Sequence, residues 1–409
     1  MFKSKKLISV LAATTLALAG CSGGSDSGDS AGSASGDVQL TVWSSQEDQS
    51  GNDGWLQHVE AEFEKANPDL KITWKNNVVS PADAGVTVNQ DPSAAADVYI
   101  YANDQLGSLL DAGAVGELSD DGMAQLEKQA EGTIADSIKG QDGKSYGVPL
   151  EPNTWFMYYN KSKLSVDDVK SLDTMLEKAK VSFPLSNSWY LPAFYAGAGA
   201  TFFGASGNDA AAGIDMGNSA ADVTKYLSNM VKNPNFVNDV DGSGIGGMKN
   251  GSVDVVFSGS WDAKNAREAL GDDFGVAALP TYKLNGKDIQ LKAFSGSKAT
   301  GYNPQSKNAK VASQFAAFLA NTESQKSHYE LTGVIPSDLN LKDDASVSKD
   351  EVAVALFDTV SKAAILQPTI KEMSQFWNPT ENFAKALTNG EVTEANAAEK
   401  TEAWAGALK

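Results

Sequence analysis

Strand-like runs alternate with helical runs through the first half of this 409-residue chain, and that alternation restricts it to α/β layers. Val38–Trp43 alternates apolar and polar residues, as a half-buried strand does. Trp55, Leu56, Val59 and Phe63 then recur at helical spacing, and Asn67-Pro68 stops that helix. Leu70–Trp74 reads as a second strand and Asp97–Tyr101 as a third. A short helix, Gln105–Leu110, follows, and Gly113 is placed to end it. Val148 and Phe156–Tyr159 read as further strands and Val169–Lys180 as a helix. Val253–Phe257 is a strand feeding a helix at about Asp262–Leu270, and Val276–Leu279 is another strand. After Asn308 the pattern is largely helical, with Val311–Leu319, Val352–Ala364 and Phe383–Leu387. The length suits two lobes. No internal repeat and no long Pro/Gly linker occurs after residue 37, so the lobes must interlock or share crossings.

The first residues set an address and stand outside the fold. Lys3, Lys5 and Lys6 precede the apolar run Leu7–Leu18, which is shorter than the roughly 20 residues a membrane span needs. The run ends in Leu18-Ala19-Gly20-Cys21, which resembles a bacterial lipoprotein box with Cys21 as the lipidated residue. Residues 1–20 are expected to be removed. Ser22–Gly36 holds only Ser, Gly, Asp and Ala and reads as a flexible tether. The expected product is a globule held by lipid on the extracytoplasmic face of the cell membrane.

Charge and composition exclude several classes of function. Asp plus Glu is 52 against 33 Lys plus Arg, which argues against nucleic acid. One Cys and two His leave no disulfide framework and no Cys/His zinc site. Neither a metal nor a cofactor is expected. Chemistry must come from carboxylates, hydroxyls, amides, a few Lys and many aromatics.

Open α/β sheets place ligands at the carboxyl ends of their strands. After the first strand stands Ser44-Ser45-Gln46-Glu47-Asp48-Gln49, and after the third Tyr101-Ala102-Asn103-Asp104-Gln105. Val148 is followed by Pro149-Leu150-Glu151-Pro152-Asn153, and Val253–Phe257 by Ser258-Gly259-Ser260-Trp261. Two more loops carry Ser186-Asn187-Ser188-Trp189-Tyr190 and Ser374-Gln375-Phe376-Trp377-Asn378-Pro379. Carboxylates and amides beside aromatics, with few basic residues, suit a carbohydrate. Sugar hydroxyls donate to carboxylates, and the C–H face of a pyranose covers an aromatic ring.

Each feature also has a plainer role. Trp55, Trp74 and Trp404 read as packing, and Trp43 could serve either purpose. Trp189, Trp261 and Trp377 lie at element ends among small polar residues and read as ligand contacts. Glu47 and Asp48 are open between solvated, capping and ligand roles, and Asp104 between a helix cap and a ligand contact. His58 and His328 read as structural or solvated. Asp239-Val240-Asp241-Gly242 begins like a calcium loop, but Asn250 stands where a bidentate Glu is wanted. The glycines at 244, 246 and 247 lack the context of a dinucleotide fingerprint.

In this order, with that leader in front, the segments resemble the extracellular carbohydrate-binding proteins of ABC importers, and most closely their maltose/maltodextrin-binding branch. The anchors are Leu40–Trp43, Phe63-Glu64-Lys65, Ala96–Asp104, Tyr146–Pro149, Tyr159-Asn160-Lys161, Gly259-Ser260-Trp261, Leu279-Pro280-Thr281 and Met373–Trp377. The resemblance covers nearly all of residues 38–409. It implies a two-lobe, periplasmic-binding-protein-like fold of type II, each lobe a mixed sheet flanked by helices. The first lobe would hold residues 37–150 and 298–342, and the second 151–297 and 343–409. Three hinge crossings are expected near Glu151–Trp155, Ala293–Ser297 and Leu339–Asp344. The resemblance makes Tyr101 a stacker, Asp104 a hydroxyl-binding acid, and Trp261 and Trp377 stacking rings. Trp189 and Tyr190 fall in a segment with an aromatic contact, and Gln46, Glu47 and Asp48 in the polar loop. Departures from the branch are Gln105 in place of Arg, Glu151 in place of a glutamate nearer Asn153, and no Lys in the polar loop. They leave the identity and length of the sugar open.

The function this implies is a lipid-anchored solute-binding protein, a monomer, that binds maltose or maltooligosaccharides between its lobes and delivers them to a permease without breaking a bond. A glycoside hydrolase acting on α-glucans is the rival, because Glu47, Asp104 and Glu151 could flank a scissile bond. A binding protein for another oligosaccharide is the nearer alternative.

Overall fold

The computed structural model describes residues 36–408 apart from 51–53, 92–94 and 205. The leader, Cys21 and nearly all of the tether lie outside the described residues. The strands are β1 (Gly36–Ser44), β2 (Leu70–Val78), β3 (Val98–Ala102), β4 (Val148–Asn153), β5 (Phe156–Asn160), β6 (Val181–Phe183), β7 (Thr201–Phe202), β8 (Ile214–Asp215), β9 (Phe236–Asn238), β10 (Val255–Ser258), β11 (Phe274–Ala277), β12 (Thr281–Leu284), β13 (Lys287–Gln290), β14 (Ala293–Tyr302) and β15 (Ala364–Leu366).

Two sheets, each flanked by helices, form two lobes. The first runs β15-β14-β3-β1-β2, with β4 also paired to β14. β1 is parallel to β2 and β3, while β14 is antiparallel to both β3 and β4. The second runs β11-β5-β10-β6-β9, with β5 antiparallel to its neighbours. Two small ladders, β7 with β8 and β12 with β13, stand apart. Helices cover both faces of the second sheet, so β5 is apolar on both sides. Met157 and Tyr159 enter one core with Phe183, Tyr195 and Trp404, and Phe156 and Tyr158 enter another with Val352 and Leu356.

Local chemistry sets the element ends that matter for the cleft. The helix Trp55–Ala66 buries Trp55, Leu56, Val59 and Phe63 along one face. It ends where the Asn67 side chain donates to the Phe63 carbonyl (2.9 Å) ahead of Pro68. The helix Thr322–Thr332 starts on Asn321, whose side chain accepts from the Ser324 N–H at 2.8 Å, and stops at Gly333. Gly333 has φ +79°, a conformation that favours glycine.

The chain passes between the sheets at β4–β5, along β14, and between Leu339–Leu341 and the helix Glu351–Lys362. β14 is the longest strand. Ala293 and Phe294 lie in the second lobe's core and Ala299 in the first's. Between them the pairing of β14 with β4 shifts register at Lys298/Ala299. β15 pairs with β14 in the first sheet, although it falls in sequence within the expected second lobe.

Candidate functional site

Loops at the carboxyl ends of strands from both sheets surround a cavity of about 1280 Å³ between the lobes. That exceeds the roughly 300–1,000 Å³ usual for a small-molecule pocket and has room for a chain of linked units.

The first lobe supplies acids, three of them held by a partner. Asp48 follows β1, and its Oδ2 accepts from the Ser45 N–H at 3.1 Å. Its Oδ1 lies 2.9 Å from Nε2 of the buried His328, whose ring stacks on Trp55 at 4.0 Å. Burial alone raises the Asp48 pKa, but the His328 hydrogen bond and charge, Ser45 and Lys298 outweigh it and leave it below the ordinary value. Asp104 follows β3. The helix Leu106–Asp111 takes no side-chain cap, so this carboxylate is not committed to capping it. It accepts instead from Gln105 Nε2 at 2.8 Å, and burial pushes its pKa up to about 6. Glu151 on β4 stands directly opposite Lys298 on β14, and their charged groups meet at 2.7 Å. Next to this pair the ladder skips Leu150 of β4, and Lys298 lines the cleft. Desolvation would lower the Lys298 pKa, but Glu151, Asp48 and Glu47 raise it above the ordinary lysine value. Glu47, exposed, also lines the cavity.

The second lobe supplies rings. Trp189 follows β6, Trp261 follows β10, and Trp377 opens the helix Trp377–Thr388. All three line the cavity. Trp189 and Trp261 lie 6.0 Å apart at 35°, forming a tilted pair. Trp261 is 41% exposed, a large area for an indole to leave bare. Its ring lies over Gly259, where an added Cβ would approach within 2.0 Å of it. Lys298 Nζ lies 5.7 Å from the centre of the Trp261 ring, so a cation of one lobe faces an aromatic of the other.

Seven of the residues expected at the site line this cavity: Glu47, Asp48, Asp104, Glu151, Trp189, Trp261 and Trp377. Three do not. Tyr101 is fully buried in the first lobe's core with Tyr99 and Leu106, and its hydroxyl donates to the Tyr146 carbonyl at 3.2 Å. It ends a strand in sequence, but helices cover that face of the sheet. Tyr190 turns inward against Trp155 at 4.9 Å and supports Trp189 edge-on from behind at 5.3 Å. Gln46 is exposed on the turn, with its carbonyl accepting from Gln49 and Ser50.

Lys298 and Gln367 also line the cavity and were missed. Ser295-Gly296-Ser297 reads like a loop, which hid β14 and its lysine. Gly296 is needed because a Cβ there would lie 2.3 Å from the Asn103 side chain. The lysine absent from the polar loop therefore has a counterpart on a different strand. At the suggested calcium loop, Asp239 accepts from Ser182 and from the Gly244 N–H, while Asp241 accepts from the Ser243 N–H. Among the described residues no group of three His, Cys, Asp or Glu could hold a metal, and no helix is long and apolar enough to cross a membrane.

Residues 59–355 match the family described as bacterial extracellular solute-binding protein. The chain belongs to that family. A maltooligosaccharide ABC transporter solute-binding lipoprotein from Streptococcus pneumoniae is 27% identical over 97% of this chain and 95% of its own length. A galactooligosaccharide-binding protein from Bacillus subtilis is 26% identical over 96% of this chain and 94% of its own. A structure solved with acarbose shares 44% identity and a TM-score of 0.87, covering 91% of this chain and 99% of that one. The cleft described above is thus the cleft of a solute-binding protein, with carboxylates on one wall and indoles on the other.

Proposed function

We propose that this chain is the sugar-binding component of an ABC importer and that its cleft takes maltose and maltooligosaccharides. The observation that carries this reading is the pairing of the two walls across one cavity of about 1280 Å³. Asp48, Asp104, Glu151 and Lys298 offer directed hydrogen bonds to hydroxyl groups, and Trp189, Trp261 and Trp377 offer area to sugar faces. The maltooligosaccharide-binding relative and the acarbose-bound structure support an oligosaccharide of this kind. Sugar touching both walls favours the closed arrangement over an open one by its contacts with each. The closed form is what the permease reads, and no bond in the sugar is broken. The lobes divide near residues 150, 297 and 342, with β4 through Asn153 and β15 joined to the first sheet. The protein works as a monomer, outside the cytoplasm, held by lipid on Cys21. Cys21→Ser should release it from cells into the medium, as followed by fractionation; retention would remove the anchor.

A tryptophan-fluorescence titration tests the ligand. Maltose, maltotriose, acarbose, a galactooligosaccharide and xylobiose are added in turn. Saturable responses to maltose or maltotriose support the reading. A response to the galactooligosaccharide alone would reassign the sugar, and silence with all five would remove the sugar class. Release of reducing ends from maltotriose would replace binding with hydrolysis.

A further inference from the structure

One amide stands between the two walls. Gln367 follows β15 and is only 2% exposed, yet it borders the cavity. Its main chain is fixed from two directions. The Gln367 N–H donates to the Ser295 carbonyl on β14 at 2.8 Å, and its carbonyl accepts from Asn103 Nδ2 at 3.1 Å. Its side chain is committed as well. Oε1 accepts from the Trp189 indole N–H at 2.7 Å, and the amide also sits beside the Asp104 carboxyl, whose pKa it holds down. An indole can only donate and a carboxylate can only accept. An amide has one end of each kind, so only one orientation serves both partners: oxygen toward Trp189, nitrogen toward Asp104. No other side-chain type of this length offers both ends without a charge.

We propose that Gln367 is a positioning residue that sets the Trp189 ring of one lobe and the Asp104 carboxylate of the other in register for a single sugar unit. This rests on the reading of the cleft as a sugar site. The Asp104 carboxyl faces Gln105 on its own turn, Asp83 from the turn Pro81–Asp83, and Gln367 from the segment after β15. Burial and Asp83 push its pKa up, and the two glutamines hold it down, with a net value of about 6. A carboxylate accepts sugar hydroxyls more strongly than a carboxylic acid does, so affinity should fall as pH drops through that value. Loss of the Gln367 donor moves this acid limb to higher pH. A residue that merely filled space would lower affinity without moving the limb.

The test measures sugar affinity of the purified protein from pH 5 to 8, with Gln367→Leu, Gln367→Glu and Trp189→Phe beside the parent. Gln367→Leu should lose on the order of tenfold at pH 7, the worth of one or two buried hydrogen bonds, and shift the acid limb upward. Gln367→Glu keeps an acceptor for the indole but sets a second carboxyl beside Asp104, so its limb should move up furthest. Trp189→Phe removes the indole N–H; combined with Gln367→Leu, its cost should be less than additive. An unmoved limb in both Gln367 variants, or full additivity, overturns the proposal. If Gln367→Leu fails to fold, Gln367→Glu and Trp189→Phe still decide the matter. A parent that binds no sugar fails the cleft reading instead, so the two failures are distinct.

Discussion

The two walls of the cleft are built on different principles. On the first lobe each buried acid is matched to a partner: Asp48 to His328, Asp104 to Gln105, and Glu151 to Lys298. On the second lobe the rings lean on packing. Tyr190 braces Trp189, and Trp377 sits against Phe376 and Phe294. Acids bond along particular directions, so they distinguish one hydroxyl arrangement from another. Rings contribute contact area and accept many sugar faces. On the proposed reading the acid wall governs which sugar binds, and the aromatic wall how tightly any of them binds.

Four substitutions break or sharpen this contrast. Lys298→Met leaves Glu151 buried without its cation, and removal of one partner of such a pair costs about 3–5 kcal/mol. Urea denaturation should show that loss, and a change below about 1 kcal/mol would mean solvent already screens the pair. Trp261→Ala should weaken every sugar that binds by on the order of 2 kcal/mol or more, with the ranking among sugars kept. A changed ranking in calorimetric titrations would give the ring a discriminating role and erase the contrast. Asp48→Asn should cost about 2 kcal/mol of stability at neutral pH, the usual scale for a hydrogen bond to a charged group. The Asp48 pKa is depressed in the folded protein, so its contribution is present above the ordinary value of 3.8 and is lost as pH falls through the depressed one. Melting temperatures of parent and variant should converge in that acid range, and a constant gap would point to packing instead. Gly259→Ala, whose Cβ displaces the Trp261 ring, should cost roughly 1 kcal/mol in affinity, again evenly across sugars.

The same contrast explains what could be read from sequence. Strands β1 and β2 show as alternation and β3, β5 and β10 as apolar runs, and the polar clusters after β1, β3 and β10 mark the cleft without any knowledge of the fold. Trp189, Trp261 and Trp377 stand out because small polar residues surround them. The supports of the acid wall do not stand out. His328 lies 280 residues from Asp48 and Gln367 lies 178 from Trp189, and pairings at such separations leave no local pattern. Tyr101 misleads for the opposite reason: it looks like a strand end open to ligand, but the covering helices turn it into core. β14 was hidden because its small residues answer to close neighbours, Gly296 to Asn103 and Ser297 to Ser137, and not to strand propensity.

The length of β14 has a mechanical consequence. That strand threads both cores, so any rotation of one sheet against the other pivots close to it. Displacement grows with distance from a pivot. Lys298 therefore travels little, and so do Trp261, 5.7 Å from its ammonium, and Trp377, whose ring lies 6.3 Å from Phe294 on the same strand. On the proposed reading a sugar bound there meets charge and rings together, at the slow end of any such motion.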